Sequence, residues 1–255
     1  MSLEHQQSFF KLESYFSNGI SILEREFENG SIAYIDGIDE AKFNGFLQRQ
    51  AHQNYEQLIS DLKNFFKENA VPNWVYAVPN HIETPELQKA LANHRLVFDE
   101  SSTAMHLNLE SIKNIETSPS VPLIIQSADT DKDGWFQVLK SGFGGTEITT
   151  NQYRKALDRA QSRNVNIQHF LGSQDGQPVS AITLTYLNDT VRIDNVATHE
   201  TYQRLGYGSQ MVQFAINLVK AKGFNHCFLD ASSDGLNVYQ KFGFEKLFTY
   251  SIYLF

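Results

Sequence analysis

The chain has 255 residues, of which 41% are hydrophobic and 13% aromatic, so it can bury one large core or the cores of two domains of about 130 residues each. Its formal net charge is −8 and no apolar run of about 18 residues occurs, so neither nucleic acid nor a membrane is an expected partner. The single cysteine, Cys227, excludes a disulfide framework and favours a reducing, cytoplasmic location, and its apolar neighbours predict a buried side chain rather than a nucleophile.

The first part of the chain contains four predicted elements in the order helix, strand, helix, strand. Apolar residues at helical spacing predict a helix over residues 55–68, and residues 74–78 have the composition of a buried strand. Thr84 and Pro85 are typical of the N-cap and first residue of a second helix. Residues 103–109 then predict a second strand.

The acidic residues are concentrated in this first part. Residues 1–120 contain 9 Lys and Arg against 17 Asp and Glu, a difference of −8, whereas residues 121–255 contain 12 of each kind. The surplus favours a cationic amine as a binding partner. The alternative interpretation is that it only keeps this part of the protein soluble.

A polar stretch, residues 114–122, contains two prolines and lacks apolar periodicity. It predicts a linker between a first half of residues 1–118 and a second half of residues 119–255. The second half is predicted to end in the order helix, strand, short helix, strand (208–222, 226–232, 233–242, 247–255), which repeats the order of the first. Two interpretations remain: a tandem of related units, the first shaping an acceptor cleft or a homodimer contact, or an unrelated α/β first domain.

The earlier part of the second half predicts a strand (121–126), two helices (133–140 and 153–161) and a hairpin (168–172 with 179–187). Residues 129–134 match the first six positions of a calcium loop, but Lys140 stands at the twelfth, where such a loop needs glutamate. The aspartates in this segment are therefore interpreted as caps of the following helix, and no metal is expected.

The most informative motif lies between a predicted strand (190–198) and the helix 208–222. It reads Gln203-Arg204-Leu205-Gly206-Tyr207-Gly208-Ser209. Glycines let the backbone approach a ligand, and the first amides of a helix have no internal partner, so this turn predicts a phosphate site. A dinucleotide motif is excluded because Met211 stands where its third glycine would be, and no Walker sequence occurs.

The order Gln-x-x-Gly-x-Gly resembles the acetyl-CoA pyrophosphate loop of the GNAT N-acetyltransferases. Downstream, Ser232 at a strand end and Tyr239 before Gly243-Phe244 resemble the closing segment of that family. The resemblance covers about residues 121–255 and implies an α/β (α+β) GNAT fold, a mixed central sheet flanked by helices. The first half would be a degenerate GNAT-like unit, because it has no glycine loop before its long helix and no tyrosine or Gly-Phe after its short one.

The resemblance implies direct transfer of an acetyl group from acetyl-CoA to a primary amine of a small molecule or peptide. The alternative is a catalytically silent acyl-CoA sensor or protein-interaction module. Tyr239 is expected to protonate the departing CoA thiolate. Candidates for the general base are Asp194, His199 and Glu147, the last in a predicted loop between two helices, with a water relay as the alternative.

The residues implied in acetyl-CoA binding lie in three segments. They are the strand end Val196, Ala197 and Thr198, whose backbone would pair with the pantetheine arm, the loop residues Gln203, Arg204, Leu205, Gly206, Tyr207, Gly208 and Ser209, and finally Ser232. Leu205 stands where the family often has a basic residue or glycine. Neutralisation of the phosphates would therefore depend on Arg204 and the helix amides.

Overall fold

A computed structural model describes residues 3–27, 30–112 and 122–255 of the chain. Across these ranges it forms one mixed sheet of 11 strands with helices on both faces. The strands are β1 (Leu23–Glu26), β2 (Ile32–Ile35), β3 (Asn44–Leu47), β4 (Val75–Pro79), β5 (Val97–Asn108), β6 (Ile124–Ser127), β7 (Ile167–Gln174), β8 (Gln177–Leu187), β9 (Thr190–Thr198), β10 (His226–Ala231) and β11 (Glu245–Leu254). The helices are α1 (Leu3–Ile20), α2 (Tyr55–Glu68), α3 (Pro85–Asn93), α4 (Lys132–Phe143), α5 (Glu147–Ser162), α6 (Tyr207–Ala221) and α7 (Leu236–Lys241).

The two halves exchange their last strands. The order across the sheet is β1-β2-β3-β4-β11-β5-β10-β9-β8-β7-β6. Strand β11 of the second half pairs with β4, and β5 of the first half pairs with β10, while β5 and β11 pair with each other. The sheet is similar on both sides of the central β5–β11 pair. On one side β11 pairs antiparallel with β4, which pairs parallel with β3. On the other side β5 pairs antiparallel with β10, which pairs parallel with β9.

This repeated order confirms the tandem prediction, since α2, β4, α3 and β5 correspond to α6, β10, α7 and β11. The predicted boundary at residues 118/119 lies outside the described residues. Within the described ranges no helix combines the length and the apolarity that crossing a bilayer requires.

Helices α2 and α6 each bury an apolar face against the sheet. Helix α2 packs Leu58, Ile59, Leu62, Phe65 and Phe66 against the strands of the first half. Its Phe66 ring stacks on Trp74 with centroids 4.5 Å apart. Helix α6 packs in the same way on β8, β9 and β10. Because a fully buried Leu, Ile or Phe contributes about 1.5–3 kcal/mol, these faces hold both helices to the sheet.

Helix α1 was not predicted from the sequence. It lies on the face of the sheet opposite α6, where Phe9 and Leu12 pack against Phe228 and Phe248. Arg159 Nε of α5 donates a hydrogen bond to the backbone oxygen of Ile20 at 2.9 Å. A helix from the first half is thereby fixed on strands of the second.

The calcium-like segment caps helix α4, as the aspartate interpretation predicted. The Oδ1 atom of Asp131 accepts a hydrogen bond from the Gly134 amide at 2.9 Å. Helix α5 begins at Glu147, six residues before the predicted start at Tyr153, because Thr146 and Thr149 form a capping box. The predicted loop position of Glu147 was therefore wrong.

Replacing Asp131 with Ala should lower the free energy of unfolding by about 1 kcal/mol, because one amide of the first turn of α4 loses its acceptor. Urea denaturation measures the effect. Asp131→Asn keeps an acceptor oxygen and should stay within about 0.5 kcal/mol of the unchanged protein. Equal stability of the two variants would contradict the capping role.

Candidate functional site

Strand β9 separates from β10 halfway along its length. The two pair in parallel only from Thr190 opposite His226 to Ile193 opposite Leu229. At Asn195 the backbone takes a positive φ of 52°, and the β8 register shifts at the same place. The side-chain Nδ2 of Asn195 holds this bulge by donating hydrogen bonds to the Tyr153 hydroxyl at 2.8 Å and to Thr183 Oγ1 at 3.0 Å. Beyond it, residues 196–198 have no ladder partner in β10 among the described residues.

The glycine loop ends in an uncapped helix. Gly206 has a φ of 85°, a left-handed conformation that favours glycine, and it stands at the N-cap of α6 without a side chain to accept from the first amides. A Cβ atom placed on Gly206 would meet no atom within 4 Å. Gln203 Nε2 donates to the Thr198 backbone oxygen at 3.3 Å, which ties the loop to β9. The helix start therefore presents amides to an open space, the arrangement that binds anions.

The strand end, the glycine loop and α7 enclose a cleft of about 300 Å³. The structure brings ten of the sequence-predicted residues to its walls: Val196, Thr198, Gln203, Arg204, Gly206, Tyr207, Gly208, Ser209, Ser232 and Tyr239. Two residues predicted to bind acetyl-CoA do not line the cleft. The side chain of Ala197 packs against α4, and that of Leu205 is 58% exposed to solvent. Val212, Gly235 and Val238 also line the cleft and were missed, because apolar and small wall residues have no sequence signal of their own.

Tyr239 stands at the wall of the cleft on α7. Burial raises the pKa of its hydroxyl to about 12, and the nearby charges of Asp194 and Asp230 add to the rise. Its ring meets Phe244 edge-on with centroids 5.9 Å apart. A Cβ atom on Gly235 would lie 3.1 Å from Tyr239 Cε2, a tight contact that glycine avoids. The ring is thus packed on two sides, and the hydroxyl is protonated at neutral pH.

The three candidate bases lie in different environments. Asp194 is half-buried and accepts from Arg192 Nε at 2.8 Å, and desolvation raises the pKa of its carboxyl. Glu147 is exposed and bonded to Lys140, and it does not line the cleft. The His199 ring contacts Thr201 Oγ1 at 3.0 Å and is also outside the cleft wall. Of the three, Asp194 is the one whose charge reaches Tyr239.

A second cavity, of about 220 Å³, lies on the α1 face of the sheet and draws its walls from both halves of the chain. It is lined by Phe9, Glu13, Tyr34, Lys42, Leu47, Val75, Ala77, Arg192, Asp230, Tyr250 and Ile252. We call it the acidic cavity after Glu13 and Asp230, and the cations Lys42 and Arg192 line it as well. A larger cavity of about 540 Å³ between α4, α5 and β7 contains none of the predicted site residues.

Arg192 is the centre of the acidic cavity. Its Nη2 atom donates to Asp230 Oδ2 at 2.5 Å, while Nε binds Asp194. Arg49 reaches Glu13 at 3.5 Å, and burial raises the pKa of Glu13. Glu13, Asp194 and Asp230 thus lie beside Arg49 and Arg192, and Lys42 also lines the cavity. One buried oxygen each of Asp194 and Asp230, and the donors Arg49 Nε and Arg192 Nη1, lack a hydrogen-bond partner of ordinary geometry among the described residues, so the cluster has acceptor and donor capacity for a polar ligand.

Comparison with known proteins identifies the second half. Residues 133–244 match the sequence model of the acetyltransferase (GNAT) family. The match contains the β9 strand end, the glycine loop and Tyr239. The second half of the chain therefore contains a segment that matches the GNAT family.

Solved structures share the fold over nearly the whole chain. A GCN5-related N-acetyltransferase from Kribbella flavida superposes with a TM-score of 0.65 at 12% identity, covering 95% of this chain and 94% of that one. A functionally unknown conserved protein from Staphylococcus epidermidis gives 0.67 at 13% identity, covering 95% and 96%. A tandem GNAT protein from the clavulanic acid biosynthesis pathway gives 0.64 at 12% identity, covering 90% and 80%. The likeness extends over both halves and agrees with a tandem GNAT fold.

Proposed function

We propose that the protein transfers the acetyl group of acetyl-CoA to an amine of a small cationic acceptor. One observation carries the proposal: the cleft beside the glycine loop and the acidic cavity lie on opposite faces of the sheet, where β9 parts from β10. A donor and an acceptor that enter from the two faces can meet in the gap between the strands. Holding them in that geometry accounts for much of the rate that such a transfer needs.

The cleft provides the groups that acetyl-CoA requires. The uncapped amides of α6 and Arg204 hold the phosphates, and the backbone of residues 196–198 beyond the bulge hydrogen-bonds the amides of the pantetheine arm. Bound acetyl-CoA supplies an activated thioester. The Tyr239 hydroxyl, protonated because its pKa is raised to about 12, donates its proton to the departing sulfur.

The acidic cavity provides the groups that an amine requires. An aliphatic amine with a reference pKa of about 10.4 enters as a cation and must lose a proton before it attacks. Glu13 and Asp230 attract the charged form. Asp194 does not line the cavity but accepts a hydrogen bond from its Arg192, and it takes up the proton through a water. Its raised pKa makes it a better base than an exposed aspartate.

Thiol release from acetyl-CoA, followed with a disulfide reagent across a panel of amines, tests transfer. Diamines and polyamines should be acetylated fastest, and amino acids with a net negative charge slowest. A silent acyl-CoA sensor would bind acetyl-CoA and release no thiol with any amine. Preference for acidic acceptors would contradict the role given to the acidic cavity.

Replacing Glu13 with Gln should raise KM for a diamine about tenfold, since an ionic contact of about 1.4 kcal/mol is lost. The value of kcat and the Kd of acetyl-CoA should stay unchanged, because Glu13 lies in the acidic cavity and outside the cleft. Steady-state kinetics with both substrates measure KM for the diamine separately from kcat, and calorimetry measures the Kd of acetyl-CoA. Glu86→Gln, an exposed change on α3, is the matched control. Equal KM values for the two variants would remove Glu13 from the acceptor site.

A further inference from the structure

Three histidines converge on the α1 face of the sheet. His5 comes from α1, His106 from β5 and His226 from β10. Each offers one ring nitrogen, and these three nitrogens all lie within 4.8 Å of one another. His106 Nε2 and His226 Nδ1 are hydrogen-bonded to each other at 3.0 Å. Among the described residues this is the one group of three or more His, Cys, Asp or Glu side chains with metal-binding spacing.

The fold places the three side chains together for separate reasons. In the β5–β10 pair His106 lies opposite Phe228, and His226 lies two residues before Phe228 on the same face. That face packs against α1, and His5 precedes the buried Phe9 by one helical turn. Two ligands thus come from neighbouring strands of a rigid sheet, and the third from the helix that covers them.

Three imidazole ligands favour a metal ion of borderline softness. Imidazole nitrogens suit Zn²⁺, Cu²⁺, Ni²⁺ and Co²⁺, whereas Ca²⁺ and Mg²⁺ prefer oxygen ligands. A Zn–N bond is about 2.0–2.1 Å, so three nitrogens around one tetrahedral ion lie about 3.3 Å apart. The hydrogen-bonded pair at 3.0 Å is slightly closer than this, so the hydrogen bond between the two rings must open to admit the ion. The His5 ring stacks on His106 with centroids 4.0 Å apart, and it must rotate out of the stack to direct a nitrogen at the ion.

Access agrees with this chemistry. His5 and His226 are half-buried, so an ion can reach them from solvent, while His106 is buried.

We propose that His5, His106 and His226 bind one divalent transition-metal ion of the Zn²⁺ class, with a fourth position left to solvent. This departs from the expectation of no metal drawn from the sequence, where the three residues are more than 100 positions apart. The ion joins α1 to one strand from each half of the chain. Its role is to hold together the place where the halves interlock, independently of acetyl transfer.

Titration of the EDTA-treated, tag-free full chain with Co²⁺, followed by Zn²⁺ competition, tests the site. We expect one ion per chain and the intense visible absorption of tetrahedral Co²⁺. His226→Gln should weaken binding by more than about 100-fold, beyond the 10–100-fold typical of outer-shell partners. His5→Gln should do the same and is the second variant, because His5 lies in the first turns of α1, where a change does not disturb the sheet.

His94→Gln is the matched control, since His94 lies at the end of α3, bonded to Glu56 and outside the cluster. Zn²⁺ should raise Tm for the unchanged protein and for His94→Gln, and leave it unchanged for His5→Gln and His226→Gln. Octahedral Co²⁺ absorption, or wild-type affinity in either cluster variant, would overturn the proposal. Absence of saturable binding to the folded protein would overturn it as well.

Discussion

Replacing Tyr239 with Phe should lower kcat for acetyl transfer by about 10²–10³-fold, within the range that a positioned general acid contributes. The change removes one hydroxyl and keeps the ring that packs on Phe244 and beside Gly235. The cleft therefore keeps its shape, and the Kd of acetyl-CoA should be nearly unchanged. Rapid-quench or steady-state kinetics with calorimetry separate the two quantities.

The pH profile provides a second test of Tyr239. Burial raises its pKa to about 12, so the hydroxyl holds its proton below that value and the acid stays available from pH 6 to above pH 9. No fall in rate from Tyr239 ionisation is expected in that interval. Full activity of the Phe variant would show that another group, or water, protonates the thiolate.

Replacing Gly206 with Trp should abolish acetyl-CoA binding. The Cβ atom points into open space at the cleft, so an indole there occupies the volume that a pyrophosphate needs in front of the α6 amides. The residue also has a φ of 85°, and holding a side chain in this conformation costs roughly 1–2 kcal/mol of stability.

Gly223→Trp controls for that backbone strain. Gly223 has a φ of 82° and also has no atom within 4 Å of its Cβ position, but it follows the other end of α6, about 22 Å away. Both variants should lose similar stability, and only the Gly206 variant should lose acetyl-CoA. Unchanged affinity in Gly206→Trp would remove the glycine loop from the binding site.

The elements that the sequence predicted correctly have signals within a single segment. Helix α2 matches its prediction at both ends because five apolar side chains follow the helical period and Asn54 caps it. Strand β9 also matches at both ends. The glycine loop was found because positive φ at Gly206 and an open helix start require a particular residue type.

The features that the sequence did not predict depend on contacts between distant segments. Nothing in residues 3–20 indicates that α1 lies on strands β10 and β11, because its packing partners on these two strands, Phe228 and Phe248, are more than 200 positions away from it. The strand exchange also depends on contacts between distant segments. The sequences of β5 and β11 are those of ordinary strands and do not show that each pairs with a strand from the other half. Glu13 and Asp230 have no motif around them and meet only because α1 crosses the sheet.

The interlocked sheet also explains why a degenerate first unit is retained. Strand β5 fills the position beside β10, and α1 supplies Glu13 to the cavity opposite the cleft. The second unit therefore has neither a complete sheet nor a complete acceptor side without the first. In the proposed reaction the first unit serves as scaffold and acceptor wall rather than as a second catalyst.

Calorimetric titration of the purified chain with acetyl-CoA, with CoA and ATP as controls, tests whether the cleft beside the glycine loop binds the acetyl donor. We expect saturable binding of acetyl-CoA and CoA with one site per chain, and none of ATP. One site rather than two follows because the first unit has no glycine loop before α2. Absence of acetyl-CoA binding to the correctly folded protein would contradict the function proposed for the cleft.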